Sequence, residues 1–480
     1  MDNQKPSPGK KLDLSRPTGF RDFLPSDVKK FRRVEEIAKT TIESFGFEEI
    51  QTPIVEFQDL FLVRSGEKFK DYSFTFKTPK FRDIEAGLIE GEPGDAKTFV
   101  LRPEFTAGVC RFYNQNEINR YPKPVKIYYL GPCFRYDKPA PGRYREFYQL
   151  GVELFGSATA KSDAEVIILA TRTVEKLGIK DYKVRINDLN ILRALLNEFD
   201  INEVIQDKII GLMDNANGDM VKLGLGFIET TQEKIVDGFM DDLNRLDLSM
   251  ELITLLKEML LLSGRYDDIK VKALEIFKDK PGTIEALESS NLTTIENMLS
   301  EVCIESYVVD LSLARGLDYY TGIVFEIDSP SIGKQKQICG GGRYDRLIEE
   351  FGGESIPATG FAFGVDRLVL AAEANGSLDL EESSRRADVF LYAFKDEHSK
   401  HLFTIQDRLL SEGIKVELNV MDWNIRKALS FASKLGFKFA IILGEKEIEE
   451  STVTLKNLDT EDQDVMPMDE AIKKIKNTLV

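Results

Sequence analysis

Helical periodicity of apolar positions runs over residues 25–45 and stops at Gly46, so the first ordered element is predicted to be a helix. The period then shortens. Residues 48–55 read as a strand containing Pro53, and because proline cannot donate to a ladder, this strand belongs at an edge or an interface. Further strand-like runs cover 72–76, 98–101, 125–130, 147–155 and 182–186. Several alternate and are separated by turns, which predicts a largely antiparallel sheet. From about 189 to 302, Leu, Ile, Glu and Lys recur at helical spacing and β-branched runs thin out. Strand character resumes at Tyr307, so this block reads as a helical insertion. Residues 376–386 are polar and charged, as a linker should be. Beyond them, 387–394, 414–418 and 439–443 read as strands, with helices over 398–411 and 423–435 between them. That alternation predicts a small α/β domain with a mostly parallel sheet. No repeat of solenoid length occurs.

Composition narrows the class. A chain of 480 residues points to two or three domains, and 42% hydrophobic with 30% charged residues fits a soluble globular protein. No apolar run is long enough to span a bilayer. Residues 1–17 are polar, rich in Lys and Pro, and lack the apolar core of a signal peptide, so a flexible tail and a cytoplasmic location are expected. Cys110, Cys133, Cys303 and Cys339 never approach C-x-x-C spacing, which favours reduced thiols over zinc ligands or disulfides. His398 and His401 are the only histidines and read as a solvated helix face, so no metal site is expected. The net charge of −17 argues against a generic nucleic-acid coat. Local Lys and Arg patches can still hold phosphate, so a nucleic-acid substrate is not excluded.

Several segments carry candidate chemistry. In Arg315-Gly-Leu-Asp-Tyr-Tyr-Thr-Gly322 a permanent cation precedes two phenols at a glycine-punctuated turn. Arg315 can grip a carboxylate or phosphate in a fork while Tyr319 and Tyr320 form flat walls with polar tips, or the loop can pack with the Arg paired to an acid. Leu101-Arg-Pro-Glu-Phe-Thr106 follows a short strand, where Glu104 and Thr106 could orient an ammonium or simply end the strand. Residues 134–149 set Arg135, Lys138, Arg143 and Arg145 and two prolines between two strands, a basic hairpin suited to a triphosphate or an RNA end. Gln149 and Glu153 share one strand face and so could enter one pocket or form a solvated stripe. Gly340-Gly-Gly-Arg-Tyr-Asp345 permits close backbone approach but lacks the Gly-Lys-Ser/Thr of a phosphate loop. Gly360-Phe-Ala-Phe-Gly-Val-Asp-Arg-Leu368 alternates small and apolar residues before Arg367.

Taken in order, these segments resemble histidyl-tRNA synthetases, members of the class II aminoacyl-tRNA synthetases. The Arg315 and Gly340 segments match the two histidine-specific signatures. The 25–55 helix and strand, the 134–149 hairpin and the Gly360 segment match the three class II motifs, and the likeness runs from about Thr18 to the C-terminus. Gly444-Glu-Lys-Glu and Val453-Thr-Leu-Lys456 are similar to the family's anticodon-binding domain. The resemblance implies an α+β fold: an antiparallel class II sheet with flanking helices over 18–375, the helical insertion at about 189–302, a linker at 376–386 and an α/β anticodon-binding domain over 387–480.

It also implies roles. Glu104, Phe105 and Thr106 would border the α-amino group of histidine, although many members have a smaller residue than Phe105. Gln149, Glu153, Tyr319, Tyr320 and Tyr344 would complete the histidine pocket. Arg135 and Arg315 would flank the α-phosphate as the catalytic pair, Phe147 would lie under adenine, Arg143 and Arg145 would meet ATP or the RNA end, and Arg367 would hold the γ-phosphate. Asp137 stands where the family often has Glu. The implied activity is ATP-dependent ligation of L-histidine to tRNA(His) by a homodimer, with Mg2+ on the outer phosphates of ATP. The alternative is a non-catalytic, histidine-sensing regulatory paralogue. Such paralogues usually lose the catalytic Arg and the C-terminal tRNA domain, and this chain has Arg315 and a domain-like segment from Ala387.

Overall fold

The structure is a computed structural model. It describes residues 14–65, 69–77, 98–223, 229–314, 319–333, 336–378 and 386–479. The chain divides into two compact units, Met1–Leu378 and Asp379–Val480.

In the first unit, helix α1 (Pro25–Ser44) starts where Pro25 sets the first turn and Asp27 accepts from the Leu24 backbone N–H at 2.9 Å. Phe31, Val34, Ala38 and Ile42 fall three or four apart and are buried, giving one apolar stripe. Gly46, at φ +80°, turns the chain after the helix. The strands are Glu48–Glu49 (β1), Val55–Phe57 (β2), Phe74–Lys77 (β3), Thr98–Leu101 (β4), Val125–Phe134 (β5), Glu146–Phe155 (β6), Lys183–Asp188 (β7), Ser263–Gly264 (β8), Tyr307–Asp310 (β9), Ile323–Asp328 (β10), Gln337–Arg343 (β11) and Ala358–Gly364 (β12). Nine of them form one sheet in the order β1-β5-β6-β12-β11-β10-β7-β9-β8. The β1–β5 and β7–β9 pairs are parallel and the other pairs are antiparallel.

Residues 48–55, expected as one strand, are split. Pro53 lies between β1, at the edge of the large sheet, and β2, in a small sheet of order β2-β4-β3. Tyr72, expected in a strand, ends the short helix Phe69–Tyr72, and β3 begins at Phe74. Helix α2 (Thr106–Gln115) follows β4, and α3 (Ala160–Lys176) packs against α1.

The register of the large sheet shapes the site. Glu153 on β6 lies opposite Gly360 on β12, which lies opposite Gly342 on β11. A Cβ at Gly360 would stand 2.0 Å from Glu153 Oε2, so the glycine leaves room for a carboxylate on the sheet.

Beyond β7 come α4 (Leu189–Glu198), α5 (Glu203–Leu223) and further helices as far as Leu292–Glu301. Asp188 caps α4 by accepting from the Asn190 N–H at 3.1 Å. Leu192, Leu195, Met213, Leu256 and Leu299 join the same buried core as Val184 and Ile186 of β7. The block is not purely helical, because Ser263–Gly264 pairs with β9 at the sheet edge.

The second unit has Val389–Ala393 (β13), Val416–Leu418 (β14), Phe439–Leu443 (β15), Thr452–Asn457 (β16) and Gln463–Pro467 (β17), ordered β14-β13-β15-β16-β17. The first three are parallel, but β16 and β17 add antiparallel pairs, so the sheet is mixed rather than mostly parallel. Among the described residues no helix is long and apolar enough to cross a membrane.

Candidate functional site

A cavity of about 650 Å³ opens over β6, β11 and β12. Most residues singled out from the sequence line it: Glu104, Thr106, Arg135, Arg143, Phe147, Gln149, Glu153, Tyr319, Tyr320, Tyr344 and Arg367. Arg315 lies outside the described residues, between buried Ala314 and Tyr319. Phe105 is absent from the lining. Its buried ring stacks on Tyr129 at 4.3 Å, with the Arg102 guanidinium 3.7 Å from its centre.

One end of the cavity is a carboxylate pocket walled by phenols. Glu153 accepts from Thr106 Oγ1 and Tyr129 OH, each at 3.1 Å, and from Tyr344 OH. Burial pushes its carboxyl up to about 8, against those three hydrogen bonds, which favour the charged form. Glu104 caps α2 by accepting from the backbone N–H groups of Thr106 and Ala107. Burial raises its pKa too, while those N–H groups and Arg135 oppose the rise. Tyr319 lies 4.7 Å from Tyr320 and 5.7 Å from Tyr344, ring centre to ring centre. Gln149 accepts from the Cys133 thiol at 3.3 Å, and burial lifts that thiol to about 12, keeping it neutral.

The other end is cationic. Arg135 donates Nε to the Pro103 carbonyl at 2.9 Å and lies 5.3 Å from the Phe147 ring centre. Arg143 pairs with Asp137 at 2.9 Å. Arg367, from the helix α6 (Val365–Ala374) that follows β12, donates to Gly142 O at 3.1 Å and Gln337 O at 2.7 Å. Burial lowers the Arg367 pKa, and the charges of Arg143 and Arg135 press it further. Guanidinium groups crowded in this way are positioned to receive an anion. Arg145 does not line the cavity; it donates to Thr18 O at 3.1 Å and lies 3.8 Å from the Tyr136 ring centre.

Sequence reasoning missed three contributors. Tyr129 contacts Glu153 because β5 pairs with β6, a partnership that spacing along one strand does not display. Arg102 stitches the site's back wall, donating to Thr52 O at 2.9 Å and Pro132 O at 2.8 Å. Asn217 reaches the cavity from α5, inside the block read only as an insertion. Among the described residues no group of three or more His, Cys, Asp or Glu could hold a metal ion.

The sequence profile of the histidyl-tRNA synthetase family matches residues 19–368. The chain belongs to the histidyl-tRNA synthetase family. An anticodon-binding domain profile matches residues 388–478, within the second unit. The histidine–tRNA ligase of Methanocaldococcus jannaschii is 38% identical over 464 residues, covering 95% of this chain and 98% of that protein. The ligase of Pyrococcus furiosus is 35% identical over 468 residues, covering 97% and 99%. The solved apo histidyl-tRNA synthetase of S. aureus superposes with a TM-score of 0.63 at 25% identity, over 96% of this chain and 99% of that one. The family places the large sheet and its helices in the class II synthetase fold, followed by the anticodon-binding domain.

Proposed function

We propose that this chain is an ATP-dependent histidine–tRNA ligase that makes histidyl-adenylate and passes histidine to the 3′ end of tRNA(His). One observation carries this reading. A single cavity joins a buried carboxylate pocket walled by tyrosines to a cluster of arginines. The first end suits a small zwitterion with an imidazole, and the second suits a triphosphate.

In the first step a carboxylate oxygen of histidine attacks the α-phosphorus of ATP, and pyrophosphate leaves. In the second the 3′-hydroxyl of the terminal adenosine attacks the acyl carbon, and AMP leaves. No protein nucleophile is required. The rate comes from holding two anions together and neutralising charge as it develops. Glu104 and Thr106 receive the ammonium, and Gln149, Glu153, Tyr319, Tyr320 and Tyr344 enclose the side chain. Phe105 acts behind this wall, through Tyr129. Arg135 and Arg315 flank the α-phosphate, Phe147 supports adenine, Arg143 meets ATP, and Arg367 takes the γ-phosphate. Magnesium enters on the outer phosphates of ATP, as part of the substrate.

The catalytic domain spans 18–375 with its insertion at about 189–302, and the domain over 387–480 reads the tRNA, after a tail at 1–17 and a linker at 376–386. Residues 1–13 and 379–385 of the tail and linker lie outside the described structure. A cytoplasmic homodimer fits this role. The anticodon-binding profile at 388–478 supports the ligase over a regulatory paralogue. Pyrophosphate exchange measured with each of the twenty amino acids tests the proposal. Exchange should depend on histidine, and exchange driven by another amino acid, or by none, would overturn it.

A further inference from the structure

A buried polar chain links the insertion to the arginine cluster of the cavity and to the end of β9. Arg185 of β7 donates Nε to Asp328 at 2.7 Å, Nη2 to Glu326 at 2.5 Å and Nη1 to Asn217 Oδ1 at 2.5 Å. Asp310 lies 3.5 Å from the same guanidinium. Burial alone would lower the Arg185 pKa, but the three carboxylates overcome it and hold the group charged. Asn217 uses both amide hydrogens and its oxygen: it accepts from Arg185 and donates to Asp310 at 2.9 Å and to Ser312 Oγ at 2.6 Å. Both side chains are buried and border the cavity.

The chain continues in two directions. Toward the arginine cluster, Glu326 accepts from Gln337 Nε2 at 2.6 Å, and the Gln337 carbonyl accepts from Arg367 at 2.7 Å. Toward the histidine signature, the bonds to Asp310 and Ser312 fix the end of β9, from which the chain runs through Leu313 and Ala314 into Arg315. Asn187, on the same strand as Arg185, holds the Leu311 and Leu313 carbonyls at 3.2 and 2.9 Å. An amide from α5 is thus the joint between the segment entering Arg315 and the strand holding Arg367. A helix merely docked on the sheet would need only its apolar stripe, such as buried Ile209 and Met213. An amide bonded through both its nitrogen and its oxygen in a charged network instead fixes geometry.

We propose that Asn217, working through Arg185, is a positioning residue by which the helical insertion sets the place of Arg367 at the reacting ATP. The proposal rests on the ligase reading. Its consequence is that the chemistry of adenylation, rather than substrate affinity, depends on an insertion residue that is assigned no substrate contact.

The test is a pre-steady-state burst of histidyl-adenylate on the full chain, where amplitude counts competent sites and the rate constant reports chemistry at each. Asn217→Leu, of similar size, should keep its helix signal, its amplitude and its KM for histidine, while the rate constant falls about 10²-fold, as small misplacements of reacting groups do. Ser312→Ala removes one of the two acceptors and should give a smaller fall at full amplitude, which keeps the test open if Asn217→Leu does not fold. An unchanged rate constant, or a loss confined to amplitude, overturns the proposal. No histidine-dependent burst from the unaltered chain would sink the ligase reading itself, and this inference with it.

Discussion

Replacing Glu153 by Gln should stabilise the protein and damage its function, in a way that pH exposes. The carboxyl is buried at 2% exposure and ionises only near pH 8, against an ordinary 4.5. At about 1.4 kcal/mol per pH unit, that gap is worth up to about 5 kcal/mol between the protonated and charged forms. The folded pKa is raised, so this stabilising term is fully present below about 4.5, fades as pH rises, and is gone above about 8. Gln is neutral throughout. The variant and its parent should therefore be about equally stable at acid pH, and the variant should lead by several kcal/mol above pH 8. Urea unfolding at several pH values, followed by circular dichroism, measures this gap. The single tryptophan, Trp423, lies in the second unit and reports the unfolding of that unit. Activity should move the other way. Above about pH 8, where the parent carboxylate is charged, losing that hydrogen-bonding partner costs about 1.5–3 kcal/mol, so there kcat/KM for histidine should fall roughly 10- to 150-fold with the KM for ATP unchanged. A stability gap that stays constant with pH, or that shrinks as pH rises, would refute the burial argument. A change confined to ATP would refute the assignment of the pocket.

Two further outcomes are expected. Arg315→Ala should leave folding intact and slow histidine-dependent pyrophosphate exchange by roughly 10² to 10³, with little rescue by Lys, whose point charge cannot reproduce the fork; near-normal exchange by the alanine protein would remove Arg315 from the mechanism. A chain ending at Leu378, the last residue buried in the first core, should still form histidyl-adenylate but charge tRNA poorly and with a shallower salt dependence, whereas normal charging would refute the RNA-binding role of the second unit.

The sequence displayed elements whose period was long or whose punctuation was chemical. Helix α1 was legible because its apolar stripe runs for several turns and Gly46 ends it. Strand β6 was legible within one residue. What failed was local. Pro53 broke one expected strand into two that serve different sheets, and nothing in its neighbours says where the second sheet lies. Strand β17 escaped notice because an edge strand faces solvent, so Gln463 and Asp464 show no apolar alternation. β8 is two residues long and exists only through its pairing with β9.

The site divides along the same line. Residues of unusual chemistry for their position, such as the hairpin arginines and the Tyr319-Tyr320 pair, stand out one at a time. Residues whose meaning lies in a partner do not. Arg185 reads as an ordinary strand cation until Glu326 and Asp328, 141 and 143 residues later, are brought beside it. Gly360 reads as a small packing residue until Glu153 is set against it. The net charge of −17 was the least informative number, because the fold separates charge by place. It buries carboxyls against phenols at one end of the cavity, where they resist ionising. At the other end it crowds guanidinium groups until burial and mutual repulsion press on Arg367. A polyanion bound there would relieve that repulsion, so an acidic chain can hold a triphosphate tightly at one point without attracting nucleic acid over its whole surface.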